Sequence, residues 1–238
     1  MNTESTPPSP PPPSPPRSDG PVTPGTVIDL LLRHPERLLS EQGRGGRRVI
    51  GLLLAITVLS LSVFGFLLGT VSGGVQLWAA PVKVALGTLA AVAICLPSLY
   101  IFSALAGLEA RLHQVAAVVL TMVALIGLLL LGFAPVVWVF SASTGSITFM
   151  GLLTLGFWLI SLLFGARLLL GMTRTLGLQT KAYLLLWLGI FLVVTLQMST
   201  SLRPIIGSAP TLLPTEKRFF LEHWARTLNA EASGRTTD

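Results

Sequence analysis

The chain has 238 residues, 52% of them apolar and only 11% charged, with a formal net charge of +6. Soluble globular domains carry roughly 25% charged residues, so a surface this poor in charge belongs in lipid, not in water. Glu109 is the single acidic residue between Glu41 and Glu216, against nine Lys or Arg; these basic residues lack the stripe and interleaved aromatics of a nucleic-acid surface.

Residues 1–25 form a proline-rich tail whose PPSPPPPSPP tract favours polyproline II and buries nothing, so it is expected to be disordered. Its P-x-x-P spacing suits an aromatic groove, but a flexible spacer is the simpler reading. Residues 26–48 read as an amphipathic basic segment. Thr26 with Asp29 fits a capping box. Val27, Ile28, Leu31 and Leu32 make an apolar face, followed by Leu38 and Leu39, and Pro35 should kink or split the helix. Arg33 and Arg37 suit lipid phosphates, so the segment is expected to lie on the membrane surface. The following GRGGRR reads as a flexible basic hinge.

Residues 49–204 read as a transmembrane domain. The first apolar run, 49–70, is 22 residues long, beyond the roughly 7–15 residues of a signal-peptide core, and is taken as the first span. Further spans are expected at 82–105, 115–140, 147–171 and 182–200. Each approaches the ~20 helical residues that cross the ~30 Å hydrocarbon core, the last only just. The runs are continuously apolar, which argues against barrel strands. Before the second span, SGGVQLWAAP reads as a turn and interfacial segment with Trp78 at the boundary. Short connections imply antiparallel neighbours, and no room remains for a soluble domain. Five spans put the C-terminus outside, and a fifth span that fails to insert or a re-entrant end to the third would reverse it. The fold class expected is an all-α polytopic transmembrane bundle of about five helices with amphipathic flanking helices.

Lys and Arg divide nine to four between the two sides, which places the N-terminus in the cytoplasm. Residues 205–238 form the C-terminal tail, in which Phe219, Phe220, His223, Trp224 and Leu228 are expected on one face of a short helix.

No H-E-x-x-H, paired carboxylates, nucleophile elbow or P-loop is present, so no catalytic residue, cofactor or metal is assigned. His34, His113 and His223 all fall outside the spans. The lone Cys95 lies in an apolar run and cannot form an internal disulfide. Gly65 and Gly69 have the small-xxx-small spacing of close helix packing. Polar groups at membrane depth are costly and mark candidate sites. Lys83 opens the second span, where it either snorkels or lines a site. Glu109 and Arg111, two apart, do not share a helix face. Gln197 to Pro204 places Gln197 and Arg203 at one helix end, suited to an anionic head group or to capping that end. Pro97 frees a carbonyl near residue 93 that Ser98 or Tyr100 is placed to satisfy. Lys83, Tyr100, Gln197 and Arg203 thus form the candidate intramembrane cluster. A carboxylate-driven carrier is disfavoured because no span contains Asp or Glu.

The arm from Leu31 through Leu32–Arg37, followed by five spans, resembles the Yip-domain family of small polytopic membrane proteins, including its bacterial inner-membrane relatives. Ile94–Gly107 and Gln197–Pro210 are similar to runs in an uncharacterised bacterial family, which often has an aromatic residue where Thr200 stands and Phe near Ile205. The resemblance implies a five-helix fold and a role in membrane organisation, and it transfers no site. The expected role is a non-enzymatic scaffold or complex subunit in contact with the lipid bilayer and with a protein partner or another copy of itself. The alternative is a transporter or channel for an anionic or lipid-like solute.

Overall fold

Long apolar runs without strand-like alternation leave the backbone one way to satisfy its polar groups in lipid, which is the helix. The computed structural model describes residues 23–72, 76–108, 111–144, 147–177 and 181–201. Among these it contains six helices: α1 (Pro24–Arg33), α2 (Pro35–Ser72), α3 (Gln76–Leu105), α4 (Leu112–Ser143), α5 (Ile147–Thr175) and α6 (Ala182–Ser201). Four are long and apolar enough to cross a membrane, over Gly46–Thr70, Leu77–Leu105, Leu112–Ser143 and Phe149–Arg174. This is the architecture of a multi-pass membrane protein. The apolar part of α6, Ala182–Met198, is shorter.

Pro35 separates α1 from α2 at His34, as its ring and missing N–H require. The start of α1 differs from the expected Thr26 cap. The cap is Thr23, whose Oγ1 accepts from the Thr26 N–H at 3.3 Å, with Pro24 at the first helical position. Asp29 instead pairs with Arg33 at 3.0 Å, an exposed i,i+4 contact of little energetic weight.

The expected hinge at GRGGRR is helical. α2 runs unbroken for 38 residues, about 57 Å, so its first turns extend beyond its apolar stretch. Helix α1 folds back there. Val27 and Leu31 are buried with Leu38 in the main apolar core, so α1 docks on the bundle with the face that the sequence assigned to lipid. The segment before the second span is also helical: α3 begins at Gln76 and passes through Trp78 and Pro81. Helix α4 likewise continues through Pro135 to Ser143, so its end is not re-entrant.

The strongest pairings are α2 with α3 and α4, α4 with α5, and α3 with α6. They order the helices α6, α3, α2, α4, α5. Helix α4 is the most enclosed span, with Val118, Val119, Met122, Val123, Ala124 and Ile126 all buried. Phe133 of α4 stacks on Phe157 of α5, with centroids 4.5 Å apart. Consecutive helices α5 and α6 sit at the two flanks and scarcely touch. The tail expected to be disordered to residue 25 gives way to α1 at Pro24; residues 1–22, Glu109, Arg203 and the expected C-terminal helix lie outside the described residues.

Candidate functional site

Lys83 lies on the first third of α3 and is only 7% exposed, so its side chain is enclosed and not extended to the surface. Tyr100 is on the same continuous helix, 17 residues on, or about 25 Å at 1.5 Å per residue. It is 39% exposed. Lys83 and Tyr100 therefore occupy opposite ends of α3 and do not share a site.

Gln197 is on α6, which packs on α3. The register between them is fixed by Trp187, whose Nε1–H donates to the Cys95 carbonyl at 2.9 Å. The short connections make α6 antiparallel to α3. Ten residues beyond Trp187 is Gln197, and ten residues before Cys95 is Ala85. Gln197 thus lies at the depth of Ala85, within one turn of Lys83. Of the four-residue cluster, the fold brings Lys83 and Gln197 to one level and leaves Tyr100 at the other.

The Cys95 carbonyl, two residues before Pro97 in the continuous helix α3, accepts from two side chains. Ser98 Oγ donates to the Cys95 carbonyl at 2.8 Å, and Trp187 reaches the same oxygen from across the interface. The sequence suggested Ser98 or Tyr100 as the donor to the carbonyl near residue 93; Ser98 donates to residue 95 instead. Trp187 is fully buried and stacks on Phe191 at 5.2 Å, and both pack in the core. Sequence reasoning missed Trp187. The available signal was an indole N–H at mid-span, which in lipid needs an acceptor.

Gly65 lies against the start of α3. A Cβ there would come within 2.8 Å of Pro81 Cα and 2.9 Å of the Ala80 carbonyl oxygen. The backbones of α2 and α3 touch at this point, an approach that only glycine allows. Gly69 is buried on the same helix. A second close approach was not anticipated: at Gly165 of α5, a Cβ would meet Ile126 Cδ1 at 2.9 Å and Met122 Cγ at 3.1 Å on α4.

A small cavity lies where α3 and α5 end and α4 begins. It is lined by Leu99, Ser103, Leu108, Val115, Val118, Leu169, Thr173 and Leu176. Its wall is set by the way α3 stops. Gly107 takes φ 81°, the Gly107 N–H donates to the Ala104 carbonyl, and the Leu108 N–H donates to the Ser103 carbonyl. This is a Schellman cap, and it turns Leu108 inward. Arg111 starts α4, its backbone N–H donating to Gln114 Oε1 at 2.9 Å.

Among the described residues, no three His, Cys, Asp or Glu side chains gather in a way that could hold a metal ion. Comparison with family models, with curated proteins and with solved structures finds no match for this chain. The resemblance to the Yip-domain family therefore rests on the residues quoted for it alone.

Proposed function

We propose that this integral membrane protein is a non-enzymatic scaffold or subunit of a membrane complex, with α6 as a fifth span and the N-terminus in the cytoplasm. The observation that carries this reading is the separation of the flanking helices. Helix α5 leans on α4 and α6 on α3, and the two scarcely meet although a short connection joins them. Leu152, Leu163 and Phe164 of α5 and Leu185, Leu186 and Val193 of α6 are exposed. Apolar helices associate in lipid by close packing. A flank that packs against one neighbour has room for another helix, from a partner or from a second copy. The Yip-like arm and the basic balance support the orientation and a role in membrane organisation.

Photo-crosslinking side chains at Leu163 and Leu186 test it in native membranes. The scaffold reading expects discrete adducts heavier than the chain at both positions, and recovery of the same adduct partner with the protein in gentle detergent. Lipid adducts alone at both positions, with the bare chain purified, would contradict it.

One observation favours transport of an anionic or lipid-like solute as a second reading. Lys83 is enclosed within a span at the depth of Gln197, and an ionisable group at membrane depth is a functional candidate. Flux into liposomes that falls in Lys83→Met and Arg203→Ala would favour it. Flux indistinguishable from protein-free liposomes would remove it.

A further inference from the structure

Hydroxyl groups inside apolar helices usually donate to a carbonyl one turn back. Four buried ones here do so: Thr57 to Leu53, Thr121 to Ala117, Ser161 to Phe157 and Thr173 to Leu169, at 2.7–2.8 Å. Ser103 departs from this pattern. It is 2% exposed, and its Oγ is the one buried side-chain polar atom among the described residues with no hydrogen-bond partner. It lines the cavity at the ends of α3 and α5, and Thr173 lines the same cavity.

Two facts narrow what the cavity can take. Its room is that of about one water molecule, too small for a lipid head group or a solute. Its polar groups are also complementary. The Ser103 hydroxyl has a proton to donate. Thr173 already gives its proton to the Leu169 carbonyl, so its oxygen remains an acceptor. A water between them accepts from Ser103 and donates to Thr173, which meets the two-partner minimum for a buried water.

We infer that this cavity is a single-water site in which Ser103 of α3 and Thr173 of α5 hold one ordered water. The water ties together two helices with no substantial direct packing between them. It sits at the C-terminal end of α5, beside Thr173 and Leu176, where it fixes that end relative to α3. This site is independent of whether the protein is a scaffold or a transporter.

The test uses the full chain in lipid nanodiscs. Magnetisation transfer from long-lived water to the Ser103 and Leu108 amides is expected in the native protein and lost in Ser103→Ala and in Thr173→Val. The thermal midpoint should fall in each single variant, and the double variant should fall no further than the worse single. Absence of the water signal from the native protein would overturn the inference. So would additive losses in the double variant, since these indicate two hydroxyls with separate roles. If Thr173→Val does not fold, the native water signal and its loss in Ser103→Ala decide alone.

Discussion

The Trp187 indole N–H donates to the Cys95 carbonyl at 2.9 Å and links α6 to α3 two residues before Pro97. The same oxygen accepts from Ser98 Oγ. The Cys95 carbonyl thus accepts one side-chain donor from its own helix and one from its neighbour. Among the described residues α3 is the one strong helix partner of α6, and this hydrogen bond sits within that interface.

Trp187→Phe keeps the ring against Phe191 and removes the donor. Interhelical hydrogen bonds in membranes average about 0.6 kcal/mol, with a maximum of about 1.7. The expected destabilisation is therefore about 1 kcal/mol. Trp187→Ala also opens a cavity and should cost about 3 kcal/mol. Unfolding by denaturing detergent, followed by tryptophan-independent circular dichroism, measures both. Equal losses in the two variants would mean that the hydrogen bond, not the packing, holds α6.

Gly65→Ala should destabilise the bundle by about 1–3 kcal/mol, because the added methyl meets the backbone of Ala80 and Pro81, which cannot swing aside. Gly165→Ala meets side-chain atoms, Ile126 Cγ1 at 2.8 Å and Met122 Cγ at 3.1 Å, where no backbone is in the way, and should cost less. Gly132→Ala meets nothing within 4 Å and should be neutral or stabilising, by up to about 1 kcal/mol, through helix propensity. The order of the three midpoints is the measurement.

Helix α1 is held to the bundle by Val27 and Leu31, while its neighbour Leu32 is exposed. Leu31→Asp buries a charge in that contact and should release α1, raising proteolysis near His34 at least tenfold in detergent. Leu32→Asp should leave the cleavage rate within about twofold of the native protein, since Leu32 makes no buried contact.

Much of this fold is legible in the residues. Runs such as 115–140 have no polar alternative to the helix, and Pro35 marks a break that its chemistry enforces. The continuous helix through Gly43, Gly45 and Gly46 is not legible. Each glycine costs about 1 kcal/mol in a helix, yet the helix runs on between the buried Leu38 and Val49. The docking of α1 is hidden for another reason: an apolar face suited to lipid suits a protein surface equally well. The separation of Lys83 from Tyr100 follows from helical rise alone, whereas the shared level of Lys83 and Gln197 requires knowing that α6 packs on α3. Ser103 looks like any serine in an apolar run. What sets it apart is a fully enclosed hydroxyl oxygen with no partner, which only the folded geometry reveals.

The account rests on helices that cross a bilayer, and α4, 32 residues long and the most enclosed, is the most direct place to test it. Its ends, Arg111 and Thr144, are separated by about 48 Å of helix, and the natural Cys95 is buried. Membrane-impermeant maleimide should label Arg111→Cys only from the side of the N-terminus and Thr144→Cys only from the opposite side, in oriented vesicles, and leave the native protein unlabelled. Labelling of both positions from one side would contradict the account.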